Sequence, residues 1–298
     1  MSLPNFIAYL NQRFPVVNMG LFAVLFLTVQ SVAERTFPGY RAGTFGWRDM
    51  LGMVAVIAFF FRLRVFDEHK DYALDTINHP QRVLQSGRVT LRQLMLVSLV
   101  GGVVELAWSA MMGWPTVVLW VLAVGYSLLM RYEFFVPTYL TKRLVLYAFT
   151  HMLIMPLVIG WIWSAYVPAF SFSSPLLLLL AMLSLLGGFA FEIARKLHVP
   201  DAERELIDSY SKTMGYVPAI VTVLVTLSVS VTVQGYLLFL LKASTLPFVI
   251  IGILFLLTLC IYLISLVNPR EKTLKMAELL VSLSMLVSYL AIILVVRL

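Results

Sequence analysis

Apolar residues dominate this chain in runs of about 20 positions, the length that crosses a bilayer as a helix, broken by short polar junctions. Nine such runs, near 16–34, 46–66, 93–112, 114–131, 143–166, 173–195, 215–237, 246–267 and 275–296, predict nine membrane-spanning helices. A spanning segment must satisfy its own backbone hydrogen bonds, so the runs predict an all-α protein. Met1–Pro15 lacks a basic stretch followed by an apolar core and reads as a short amphipathic segment on the membrane surface rather than a signal peptide. No linker or low-complexity stretch divides residues 1–298, which read as one transmembrane domain.

Composition agrees: 61% of residues are hydrophobic and 12% charged, where soluble chains carry roughly a quarter charged. Charge adds orientation. With the N-terminus inside, seventeen of the 22 Lys and Arg residues fall on one membrane face and five on the other. The positive-inside rule then places the N-terminus and the polar junctions after spans two, four and six in the cytoplasm, as in a bacterial-type inner membrane. It also explains the net charge of +7 without nucleic acid. The single cysteine, Cys260, lies within a span, so neither a disulfide framework nor a cysteine metal site is expected.

The informative chemistry follows span two. Asp67, Asp71 and Asp75 recur at four-residue intervals, which keeps them on nearly one helical face with a drift of about 40° per step. Like charges so spaced repel. Carboxylates on one face suit a hard divalent cation such as Mg²⁺, and Arg82, Arg88 and Arg92 behind them suit an anion that the cation would bridge. A second acid-rich junction follows span six, with Glu192, Arg195, Lys196, Asp201, Glu203, Glu205, Asp208 and Lys212; its interleaved bases are equally consistent with surface ion pairs. Lys142–Arg143 closes the junction after span four. Glu105 stands mid-span, where a carboxylate lines a cavity or meets a hydrogen-bonding partner. His151 reads as a packed histidine, and His69 and His79 are not spaced as zinc ligands. Gly101–Gly102 and Gly187–Gly188 suit close helix approach, and Pro156 a kink in span five.

These features together resemble the UbiA superfamily of intramembrane prenyltransferases. Its first motif runs Asn-Asp-x-x-Asp-x-x-x-Asp, followed by Asn-x-Pro-x-Arg-x-Leu-x-Ser-Gly-Arg. Here stand Asp67, Asp71 and Asp75, then Asn78, Pro80, Arg82, Leu84, Ser86, Gly87 and Arg88, with Phe66 read at the leading Asn. The second motif resembles Glu192, Arg195, Lys196, Val199, Asp201 and Glu203, with Lys196 and Val199 where aspartates are usual. The resemblance implies nine helices around a central cavity and an Mg²⁺-dependent ionisation of a prenyl diphosphate. It assigns catalysis to Asp67, Asp71, Arg82 and Glu192, and the metal to Asp67, Asp71, Asp75, Glu192, Asp201 and Asp208. Diphosphate contacts fall to Arg82, Arg88, Lys142, Arg143, Arg195, Lys196 and Lys212, and the cavity lining to Glu105, Asn78 and Tyr210. It leaves the prenyl group's fate open between transfer to an aromatic or lipid acceptor and closure on itself, as in the superfamily's terpene cyclases. A transporter or lipid-binding protein is the remaining reading; the gathering of charge at one membrane face rather than the midplane counts against it.

Overall fold

In a computed structural model, which describes residues 1–36, 45–167, 171–203 and 209–298, the apolar runs are helical. In chain order the helices are α1 (Leu3–Arg13), α2 (Val16–Arg35), α3 (Trp47–Asn78), α4 (Leu91–Met112), α5 (Trp114–Arg131), α6 (Pro137–Thr141) and α7 (Leu144–Met152). They continue with α8 (Ile154–Tyr166), α9 (Pro175–Ala194), α10 (Tyr210–Met214), α11 (Tyr216–Leu240), α12 (Thr245–Val267) and α13 (Glu271–Arg297). Among the described residues, eight helical stretches are long and apolar enough to cross a membrane, Leu144–Tyr166 of α7 and α8 forming one of them. The chain is an integral, multi-pass membrane protein. It leaves large apolar side chains exposed along its spans, such as Leu96, Leu99, Val100 and Val103 of α4 and Leu256, Leu257, Leu263 and Ile264 of α12; contiguous faces of this kind belong against lipid.

Of the nine predicted runs, the second is the one not among these eight. The run 46–66 is only the first part of the 32-residue α3, and it carries Arg48, Asp49, Arg62 and Arg64. Those charges make it less apolar than the other spans, and two of them have internal partners described below. α3 ends where Pro80 follows His79, since the residue before proline is driven out of the helical region. Pro156 does break span five: its missing N–H leaves the Met152 carbonyl without the usual partner, and α7 stops there before α8 begins.

The described residues form two compact units, Met1–Phe135 with Trp161–Phe170, and Val136–Gly160 with Ser171–Leu298. The first unit is built on aromatic rings. Trp108 and Trp161 meet at 5.5 Å, Phe59 and Trp161 at 5.7 Å, and Phe26 and Trp108 at 5.9 Å between centroids. The buried indole N–H of Trp161 donates to Ser109 Oγ at 2.9 Å, which satisfies a polar group that lipid cannot. Gly52 makes room for the Trp108 ring, because a Cβ there would lie 2.5 Å from Trp108 Cε2. Gly52→Ala is therefore expected to cost roughly 1–3 kcal/mol, read as a lower midpoint of thermal unfolding in detergent. Gly101 similarly lets α4 approach Ala58 of α3, where a Cβ would come within 3.0 Å. Gly113, at φ +122°, turns the chain between α4 and α5 with no intervening loop.

The second unit packs α9, α11 and α13 through small and β-branched residues, including Ala190, Ile193, Ala219, Ile220, Val223, Ala277 and Val281. Without a hydrophobic drive between helices in lipid, such close van der Waals contact supplies the cohesion. Gly187 lies against Met285, and a Cβ there would stand 3.5 Å from its side chain.

Candidate active site

The last turns of α3 carry the acidic residues out of the apolar region while the helix itself continues unbroken. Four carboxylates fall within nine positions: Asp67, Glu68, Asp71 and Asp75. Each is treated differently. Glu68 is 1% exposed and accepts from Arg13 Nε at 2.6 Å and from Arg64 Nε and Nη2 at 2.9 and 2.7 Å. Burial nevertheless holds its acid above the usual carboxylate range, outweighing Arg64. Asp75 accepts from Arg82 Nη1 at 2.7 Å and from Arg13 Nη2 at 3.4 Å. Asp67, half exposed, has Lys70 Nζ at 3.4 Å. Asp71 enters no ion pair among the described residues. Partial burial of its carboxyl, and then the charge of Asp67, push Asp71 above the ordinary aspartate range.

The tail after α3 wraps these groups. Its Val83 and Leu84 are buried, Gly87 takes φ +77°, and Thr90 caps α4 in a reciprocal box with Gln93. Arg82 thereby reaches back seven residues to Asp75. Arg88 stays exposed beside Ser86, and Asn78 is exposed at the helix end. His69 Nδ1 is engaged with the Val65 carbonyl at 2.8 Å.

Glu105 lies deeper in the same unit. It is fully buried, both of its oxygens accept from Arg62 Nη1 at 2.8 and 2.7 Å, and Trp120 Nε1 donates to it at 2.9 Å. Its carboxylate thus ties α3, α4 and α5 together, the hydrogen-bonded alternative to lining a cavity. Its partner Arg62 was not singled out from sequence.

In the second unit, Glu192 at the end of α9 pairs with bases of its own helix end, Arg195 Nε at 2.6 Å and Lys196 Nζ at 2.9 Å. Val199, at a motif aspartate position, is buried, and its N–H donates to Glu271 Oε2 at 3.2 Å. His198 Nδ1 meets the other Glu271 oxygen at 2.8 Å. Glu203 accepts from Ser209 and Ser211 at 2.7 and 2.6 Å. The described acids of this segment are thus engaged as ion pairs and hydrogen-bond acceptors, except that Asp201 is exposed on the turn Pro200–Ala202. Tyr210 is fully buried in the core beside Glu192, and burial followed by that charge raises its phenol well above the ordinary value. Lys212 and Lys142 are exposed, as is Arg143, whose guanidinium lies over the Tyr139 ring at 3.9 Å. Asp208 lies outside the described residues. His151 stacks on Tyr147 at 4.0 Å with Nδ1 on the Tyr147 carbonyl, a packed histidine as expected.

Residues 37–288 match the UbiA prenyltransferase family. The chain belongs to that family. Its fold is similar to the structure of a digeranylgeranylglyceryl phosphate synthase, with a TM-score of 0.69 and 16% identity over 99% of each chain. It is also similar to an apo UbiA homolog from Aeropyrum pernix K1, with a TM-score of 0.64 and 15% identity over 89% of this chain and 95% of that one. Among curated proteins none matches this chain.

The UbiA motif also corrects the register read at the start of the acidic segment. With Asp71 and Asp75 as its last two aspartates, the motif's spacing places Asp67 at the leading Asn and Glu68 at the first Asp; Phe66 lies one residue ahead. Glu68 is thus the carboxylate that the sequence reading missed, and counting back from Asp71 finds it. Among the described residues no three acidic, histidine or cysteine side chains converge as a ready-made metal site. Of the triplet, Asp75 pairs with Arg82 and Arg13 and Asp67 with Lys70, while Asp71 enters no ion pair among the described residues. The donor chemistry of α3 fits a hard cation: Asp67 and Asp71 carry oxygen donors whose mutual repulsion a dication would relieve.

Burial of Asp71, with the Asp67 charge added, has a measurable cost without metal. Asp71 is raised in the fold, so its ionised form weakens the folded state above that value, and the penalty vanishes as pH falls through it. Asp71→Asn is therefore expected to raise the thermal midpoint of cation-free protein at pH 7. A lowered midpoint in chelator would contradict this origin of the shift.

Proposed function

We propose that this UbiA-family chain is an intramembrane prenyltransferase that holds a prenyl diphosphate at the cytoplasmic end of α3 and passes the prenyl group to an acceptor. The observation that carries this reading is Asp71, a carboxylate in no ion pair among the described residues, crowded by Asp67 and flanked by bases just beyond an apolar helix. Asp67 and Asp71 would hold Mg²⁺, with Asp75 joining on release from its arginines. Bound there, the ion would neutralise charge building on the leaving diphosphate. Arg82 and Arg88 would orient the diphosphate by forked hydrogen bonds and stabilise the same charge. The C1–O bond breaks with its electron pair going to pyrophosphate; the allylic cation is captured by the acceptor nucleophile, which then loses a proton. Lipid-facing apolar helices keep water from the cation.

The test is incubation of the purified protein with Mg²⁺ and geranyl, farnesyl or geranylgeranyl diphosphate, with and without a membrane extract as acceptor source. A prenylated product and pyrophosphate that both require the extract are expected. A cyclic terpene formed without the extract would replace transfer by cyclisation. No pyrophosphate under either condition would overturn the enzyme reading.

A further inference from the structure

Helix α1 lies outside the residues that match the UbiA family, yet it reaches into the acidic segment at five polar points, one of them the Tyr9 hydroxyl donating to Glu68 at 3.5 Å. Asn5 Nδ2 donates to the Arg88 carbonyl at 3.1 Å, and Gln12 Oε1 accepts from Val83 N–H at 2.9 Å. Arg13 places Nε on Glu68 at 2.6 Å and Nη2 on Asp75 at 3.4 Å. The helix is held by aromatic packing, since Phe6, Tyr9 and Phe14 stand against the Phe61 ring at 6.1, 6.5 and 5.6 Å. Its backbone is therefore fixed while the Arg13 guanidinium bridges two carboxylates seven residues apart on α3.

The carboxylates around that bridge already carry bases. Asp67, Glu68 and Asp75 are contacted by Arg13, Arg64, Lys70 and Arg82, while Asp71 enters no ion pair among the described residues. A dication approaching Asp71 thus meets bases seated on its neighbours, and the nearby carboxylate Asp75 is already held by two guanidinium groups. Arg82 is the closer of these, at 2.7 Å, and Arg13 the looser, at 3.4 Å; Arg13 keeps its stronger bond, to Glu68, if it lets Asp75 go. We propose that Arg13 is a positioning residue that acts as the displaceable counter-cation of Asp75, so that α1 sets how tightly the acidic end of α3 binds a divalent cation. This rests on the reading of α3 as the cation and diphosphate site.

The sign of the effect separates this role from a structural one. Removing a nearby positive charge strengthens attraction for a dication, whereas a loosened α1 leaves affinity unchanged or weaker. Mn²⁺ is the probe, with free ion followed by electron paramagnetic resonance during titration of the full chain in detergent. Arg13→Gln is expected to bind Mn²⁺ about tenfold more tightly than wild type, an effect of the size of a partly screened charge a few ångströms away. Arg13→Lys, which keeps the charge, is expected to stay within about threefold of wild type, and Asp71→Asn to lose the site. Equal or weaker binding by Arg13→Gln, with Asp71 still required, would overturn the role of Arg13 and leave the cation site standing. Binding indifferent to Asp71 in every variant would overturn both.

Discussion

Asp71→Ala is expected to lower pyrophosphate release from a prenyl diphosphate by about 100-fold or more, the size of effect that follows loss of a group stabilising transition-state charge. Its neighbours are expected to matter less. Asp75 already carries Arg82 and Arg13 on Oδ2, and Glu68 is buried with Arg13 and Arg64 on Oε1, so both hold counter-charges that a cation would have to displace or share. Asp67 has a single base among the described residues, at 3.4 Å, and is the second most available carboxylate. Asp67→Ala should therefore fall between Asp71→Ala and wild type. Cys260→Ser, at an exposed position on α12, serves as the control that leaves turnover unchanged. Full activity in Asp71→Ala would remove Asp71 from the chemistry.

Glu105→Leu is expected to destabilise the chain by roughly 3–5 kcal/mol, the cost of leaving a buried ion without its partner. Arg62 is 8% exposed, and its Nε and Nη2 find no hydrogen-bond partner among the described residues. The carboxylate of Glu105 is thus its hydrogen-bonded counter-charge, supplemented by the face of the Phe59 ring at 4.7 Å. Removing both charges together, as Arg62→Met with Glu105→Leu, should restore much of the loss, because an apolar pair no longer carries the desolvation cost. Thermal unfolding of the two singles and the double in one detergent gives the coupling. A single variant as stable as wild type would contradict the account of this node.

What the sequence made legible follows from periodicity and local spacing. Apolar runs located the spans because lipid demands a continuous helical stretch, and the most charged of them, at 46–66, opens the helix that carries Arg62 and Arg64 on to Asp75. The regular aspartates marked α3 as continuing out of the membrane, and Pro156 marked the break in span five. Contacts between residues distant along the chain were not legible. Glu105 was visible as costly, but its partner lies 43 residues away. Arg13 meets Glu68 from 55 residues away, and nothing in its local sequence distinguishes it from a basic residue at a membrane surface. Glu192, by contrast, found its partners three and four residues along the same helix end, at spacings that sequence alone displays.

The claim that α3 presents a cation-dependent diphosphate site is tested most directly by calorimetric titration of the purified protein with farnesyl thiodiphosphate, a slowly reacting analogue. With Mg²⁺ present, wild type should bind it, and chelator or Asp71→Ala should each abolish that binding. Undiminished binding in chelator, or in Asp71→Ala with Mg²⁺ present, would contradict the account.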